Sequence, residues 1–398
     1  MIMPNIAFNL IYREFENTND VCNFCRCYRE NDVATRFLLI RSLDKPDLKY
    51  IVTNFSDQTD DGNFEILTKK AFESSVTISQ LLEYIESKRA ELIRSREAEL
   101  EGLSDVLADF PIVNCGVRND KVDDIVKAFV RNKSLKTIDE LFSELDNSLL
   151  PRIRQYSLWS YFNQTSNDII ELFFLKNSAV IPTLRKIHDI DFFIKIDGKI
   201  VPFDLKFTHI SDSYFDLASQ GIFRDNSEDI YDDFTVNENS ETNELKRIKS
   251  FYSQLKRFER QLNLPNYRGL SKIELLDLLS NSGNQSAETF VREITEQHKN
   301  YVPTNAEELF PLEWWNYKYQ GERLFCNNNR LFVFLAFTDK FVDGRELKGK
   351  TAEIGQKINE LLNEITSANI HTVHYHYDKD AALIGDYEAL SLSTIYYE

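Results

Sequence analysis

Asp189-Ile190-Asp191-Phe192-Phe193-Ile194-Lys195-Ile196, then Asp197-Gly198, then Lys199-Ile200-Val201-Pro202-Phe203-Asp204-Leu205-Lys206-Phe207-Thr208-His209 follow one another without interruption. Two apolar runs rich in β-branched and aromatic residues and joined by Asp-Gly spell a β-hairpin, because that dipeptide accepts the positive φ angles of a two-residue turn. In the second strand a period of two puts Val201, Phe203, Leu205 and Phe207 on one face, and Asp204, Lys206 and Thr208 on the other. The turn folds the first strand back so that Asp191 can lie beside Asp204. Two carboxylates and an ammonium then converge at one end of a hairpin.

Phosphodiester hydrolysis asks for that set. Carboxylate oxygens are hard ligands for Mg²⁺, the ion supports the scissile phosphate and acidifies a water, and a cation positions the nucleophile. On this reading Asp191 and Asp204 are direct metal ligands, the backbone carbonyl of Leu205 is a third, and Lys206 holds the attacking water. Glu171, in the helical stretch Asn167-Asp168-Ile169-Ile170-Glu171-Leu172-Phe173-Phe174, precedes the strands at a distance that lets its helix pack on the sheet. It is assigned an outer or second-metal role. Asp189 competes with Asp191, since alternation puts both on one face. Asp191 is preferred because the apolar run begins directly after it and only the inner position is buried in the hairpin.

Upstream of the hairpin, Arg152 to Lys176 reads as a helix and Ala179 to Leu184 as a short strand. Downstream, residues from about 211 to 329 read as an insert. It opens irregularly, with eight acidic residues and no Lys or Arg between Asp225 and Glu244, and continues as a helix from Glu244 to Leu262 with further helices to about Asn300. Arg330 to Phe337 is an apolar run of the kind buried on both faces of a sheet. Thr351 to Thr366 reads as a helix and His371 to Tyr377 as an alternating strand.

Glu171, Asp191, the Asp204-Leu205-Lys206 tripeptide and this succession of elements resemble the PD-(D/E)xK nuclease superfamily, the restriction-endonuclease-like fold, over about residues 152–380. The resemblance implies an α/β domain with a central mixed sheet flanked by helices, and a nuclease dependent on Mg²⁺, with Mn²⁺ able to substitute. Asp191, Asp204 and Lys206 are its matching motif positions. Ile190 stands where the motif's namesake has proline, and Asp204 takes the position that is often glutamate.

Residues 1–150 read as a separate N-terminal α+β domain for recognition, dimerisation or partner contact. Ile6 to Tyr12, Arg36 to Ile40 and Lys49 to Val52 are short apolar runs between Asn, Asp and Pro clusters, so a small sheet is expected there. Thr77 to about Leu107 has helical periodicity. Two more helical stretches, about 119–131 and 137–147, lead to a boundary near Pro151.

Across 398 residues, 42% hydrophobic and 28% charged composition supports a sizeable core, and 64 acidic against 47 basic residues give a net charge of −17. A generally basic nucleic-acid coat is excluded, so any polyanion site is local. The helix from Glu244 to Leu262 is such a place: it carries a surplus of four positive charges, and Lys246, Lys249, Lys256 and Arg260 are candidates for phosphate contact. No apolar run reaches the ~18 residues of a spanning helix, the first residues lack a cationic leader, and five cysteines form no disulfide framework. A cytoplasmic protein is expected.

Cys22, Cys25 and Cys27 lack a fourth ligand for tetrahedral zinc, and His371, His374 and His376 read as ordinary strand histidines. Trp314 and Trp315, near Tyr317 and Tyr319, read as a buried cluster rather than a base-stacking platform. The resulting expectation is an endonuclease on duplex DNA, of restriction or phage-defence type. Cutting both strands takes two sites, hence a homodimer. The alternative is a non-catalytic nucleic-acid-binding or scaffold protein that retains the fold, against which the intact Asp191, Asp204 and Lys206 argue.

Overall fold

The computed structural model describes residues 7–110, 126–219, 242–268, 270–338 and 344–398. Asp197 and Gly198 adopt φ angles of 47° and 83°, so the hairpin forms on the two residues suited to it. Strands β1 (Val180–Ile187), β2 (Ile190–Ile196) and β3 (Lys199–His209) make an antiparallel meander. Strand β4 (Arg330–Ala336) adds parallel to β3, and every one of its residues is buried. Strand β5 (His371–Tyr377) is the far edge, and β6 (Gly385–Tyr397) inserts between it and β4. The six-stranded mixed sheet has the order β1-β2-β3-β4-β6-β5.

The stretch from Thr77 to about Leu107 is helical as expected, but the small sheet expected before it, up to about residue 75, is replaced by helices, so the two parts of the first 108 residues are alike. Among the described residues they are helices: α1 (Phe8–Asn17), α2 (Val21–Cys27), α3 (Val33–Arg41), α4 (Lys45–Phe55), α5 (Phe64–Glu73), α6 (Ile78–Leu100) and α7 (Leu103–Ala108). The polar clusters that resemble strand breakers are caps. Asp20, Asp44, Asn63 and Thr77 each accept a hydrogen bond from a first-turn backbone N–H, and Asp44 with Asp47 closes a capping box. Helix α3 is buried almost all round, so its apolar run carries no visible period and reads as a strand.

Next come a helical segment over 126–131, α8 (Ile138–Glu144), a π-helical turn from Leu145 to Leu149 and the long α9 (Leu150–Lys176), whose first turn contains Pro151. After β3 the chain forms α10 (Asp212–Ser219), α11 (Asn243–Phe258), α12 (Lys272–Ser280), α13 (Gln285–Lys299) and α14 (Ala306–Lys318); α15 (Thr351–Asn363) follows β4. Most of the acidic stretch from Asp225 to Glu244, and residues 119–125 of an expected helix, lie outside the described residues.

Helices α9 and α15 cover one face of the sheet, where Ile170 and Phe174 meet Phe192, Phe203, Leu205 and Val333. Helix α14 covers the other, packing Trp314, Trp315 and Tyr317 with Phe332, Phe334 and Tyr375. The N-terminal helices share a core with Ile187, Ile190 and Phe193. Arg89 of α6 clamps that contact, its guanidinium donating to the carbonyls of Leu175 at 2.7 Å, Asn177 at 3.2 Å and Val180 at 2.5 Å. Helices α11 to α13 close around a core of their own, with Ile248, Tyr252, Leu275 and Ile294 fully buried.

Candidate active site

The β2–β3 ladder runs from Ile196↔Lys199 to Phe192↔Phe203, and one further step sets Asp191 opposite Asp204. There a side chain replaces the backbone partner: Oδ2 of Asp191 accepts the N–H of Leu205 at 2.8 Å. The backbone of Asp204 is held from the other side, where its N–H donates to the Asn329 carbonyl at 2.9 Å. The residues before β4 thus fix the height of Asp204, and β2 fixes that of Leu205.

The Asp204 side chain is 7% exposed. Nζ of Lys206 lies 3.0 Å from its Oδ1 and 2.7 Å from its Oδ2, and Nε of Arg330 lies 3.7 Å from Oδ2. Arg330 is buried as well and is held in place by Gln320 Oε1 at 2.9 Å and the Cys326 carbonyl at 3.0 Å. The buried Oδ2 atoms of Asp204 and Asp189 meet ion-pair neighbours, Lys206 and His188, but without hydrogen-bond geometry. Asp189, Asp204, Lys206 and Arg330 line one cleft of about 530 Å³, which Trp315, Tyr319 and Gln320 also border.

Asp189 does not alternate with Asp191 along a strand. It sits in the β1–β2 turn with φ 59°, its carbonyl accepting from Asn328 Nδ2 at 2.9 Å. Asp191 instead borders a second, smaller cleft of about 140 Å³ with Glu171, Lys186 and Arg96. Burial pushes the Asp191 carboxyl up to about 6, the Asp204 charge pushes the same way, and the Leu205 N–H opposes both. Glu171 is raised by burial, with Asp191 and Asp168 adding to it and Lys186 and Arg96 working against it. Asp191 is therefore the joint of the site: it feels Asp204 on one side and Glu171 on the other.

Among the described residues, no group of three or more His, Cys, Asp or Glu side chains is placed to hold a metal ion. A Mg²⁺ site does not need one, because this ion keeps several waters and commonly uses one or two carboxylates. The donor chemistry suits a hard cation in its two adjacent carboxylates, one of them with its pKa raised by burial, and its buried oxygen lacking a hydrogen bond, while the Cys326 thiol also borders the cleft beside Asp189.

The basic candidates lie elsewhere. Lys246, Lys249, Lys256 and Arg260 belong to α11 and the turn after it, and none of them borders either cleft. Lys246 and Arg260 are exposed and the other two half-buried. Glu244, the described end of the acidic stretch, pairs with Lys272 of α12.

Trp314 is buried, as is Trp315 apart from its border on the large cleft. Cys22 is also buried, its thiol donating to Asn329 Oδ1 at 3.2 Å. His371 bonds the fully buried Glu313 at 2.8 Å, while His374 and His376 pair with Glu388 and Asp386. Sequence reasoning misses Lys186, Asn329 and Arg330. A charged residue opening the otherwise apolar run of β4 is a usable signal for Arg330; the other two meet the site only through the fold.

Compared with protein-family models, curated proteins and solved structures, the chain matches none.

Proposed function

We propose that the chain is a Mg²⁺-dependent endonuclease that hydrolyses DNA phosphodiesters, of restriction or phage-defence type, with Mn²⁺ able to replace Mg²⁺. The observation that carries this reading is the meeting of Asp191, Asp204 and Lys206 at the open end of the β2–β3 hairpin, beside a cleft large enough for a nucleotide. Asp191, Asp204 and the Leu205 carbonyl would hold the ion, and Glu171 would support it through Asp191. When bound, the ion supplies charge neutralisation at the scissile phosphate and acidifies a water.

The protein's own groups do the rest. Asp191 must give up its proton to become a ligand, which joins activity to its raised pKa. Lys206, about half exposed, orients the attacking water and offsets charge that develops on the phosphate. Arg330 and Gln320 keep the Asp204 wall rigid. Lys246, Lys249, Lys256 and Arg260 would track the DNA backbone away from the cut, and two copies of the chain would cleave both strands.

Incubating the purified protein with plasmid DNA, linear duplex DNA and RNA, with and without Mg²⁺, tests the reading. Mg²⁺-dependent loss of intact DNA that Lys206→Ala slows by about 10²–10³-fold is the expected result. If DNA binds but stays intact with either ion, the chain is a binding or scaffold protein on the same fold.

A further inference from the structure

A cavity of about 630 Å³ lies between the N-terminal helices and the sheet, away from Asp204 and Lys206. Clefts of about 300–1,000 Å³ at junctions between structural units are where small molecules bind. Its interior is apolar: Leu38 of α3, Phe193 of β2, Val201 of β3 and Leu390 of β6 line it. Charge gathers in the same lining, with Arg26, Arg29 and Lys199 against Asp32 and Glu388. Arg26 is engaged by Glu388 at 3.0 Å. Among the described residues no ion pair engages Arg29 or Lys199, both exposed, which leaves a cationic surplus in a chain of net charge −17.

Asn329, among the polar residues of the lining, already uses both ends of its side-chain amide. Its Nδ2 donates to the Pro202 carbonyl at 3.1 Å, and its Oδ1 accepts from Leu390 N–H at 2.9 Å and from the Cys22 thiol. An occupant rich in hydroxyls, such as a nucleotide, would find no partners on the apolar wall formed by Leu38, Phe193, Val201 and Leu390, at a cost for each group buried there. The geometry points to a binding site for an organic anion with an apolar aryl or acyl body and a single acidic head: the body against Leu38, Phe193 and Leu390, the head at Arg29 and Lys199. The site is independent of the cleavage chemistry proposed above.

Fluorescence titration with anilinonaphthalene sulfonate, an aryl anion, tests it on the full chain. One probe bound per chain is expected, displaced by dodecanoate and not by AMP. Arg29→Glu with Lys199→Glu, both on the surface, should weaken binding roughly tenfold, and Thr35→Trp, which fills the cavity from α3, should remove it. Should Thr35→Trp fail to fold, the charge-reversal pair carries the test. No binding to the wild type, undiminished binding by the charge-reversed chain, or better displacement by AMP than by dodecanoate would each overturn the assignment.

Discussion

Oδ2 of Asp191 takes the backbone N–H of Leu205 at 2.8 Å, in the position where the next rung of the β2–β3 ladder would fall. A carboxylate at that point both extends the hairpin and stands next to Asp204. The two roles separate by mutation: Asp191→Asn keeps an acceptor for Leu205 but loses the charge. Its melting temperature should match or exceed that of the wild type, because the like-charge contact with Asp204 is gone, while cleavage falls at least about 100-fold. Differential scanning calorimetry beside a plasmid assay checks both, and wild-type turnover by this variant would remove Asp191 from the site.

Lys206 is bound to Asp204 and, among the described residues, to no second carboxylate. Lys206→Ala should therefore leave folding and DNA affinity nearly unchanged and lower the cleavage rate by about 10²–10³-fold. A parallel loss of affinity, measured by fluorescence anisotropy in Ca²⁺, would show that the ammonium docks DNA instead.

Asp204 carries more structure than Lys206 because Arg330 is buried beside it. Asp204→Asn leaves that guanidinium without its carboxylate, so it should cost about 1–3 kcal/mol in urea unfolding as well as weaken Mg²⁺ binding by calorimetry. Glu171→Gln, one residue further out, should be milder on both counts.

The raised pKa of Asp191, about 6 against an ordinary 3.8, has a defined sign. The folded protein binds a proton there more tightly than the unfolded chain, so this group's contribution to stability is complete below about pH 4 and is lost as pH rises through 6. Removing the group with Asp191→Asn should flatten the stability profile over that window. Activity should show the opposite trend, rising through about pH 6 as the carboxylate forms, and Mg²⁺ should move that limb to lower pH. A Mg²⁺-insensitive limb would speak against Asp191 as a ligand.

For α11, replacing Lys246, Lys249, Lys256 and Arg260 with Gln should weaken binding to all DNA sequences about equally. The salt dependence should flatten by nearly one unit for each phosphate no longer neutralised. An unaltered slope, with at most a small drop in stability, would assign these residues to the helix's own surroundings.

The legibility of this fold in its sequence follows from locality. Asp197-Gly198 sets a turn by itself, and the unbroken apolar run of β4 after Arg330 announces a strand covered on both faces. Helices α1, α3 and α4 read as strands because Asp20, Asp44 and Asn63, breakers in one setting, are caps in another, and because α3 is buried without a polar face, whereas the long period of α6 is legible. Strand β6 leaves no local signature, because its burial comes from lying between β4 and β5 rather than from a clean alternation. Within the site, Asp204 and Lys206 are two residues apart on one strand and so are legible as neighbours. The division of Asp189 and Asp191 between two clefts depends on a turn conformation that no local pattern specifies.

Asn329 lies in no strand, yet it receives the N–H of Asp204 on its carbonyl and joins Pro202, Leu390 and Cys22 through its side chain. Cys22 belongs to α2, so the amino-terminal helices and the strand bearing Asp204 are tied through one amide. Sliding α2 along the sheet would have to break a contact of the same residue that holds the Asp204 backbone in place, so the helical unit and that carboxylate share one fastening.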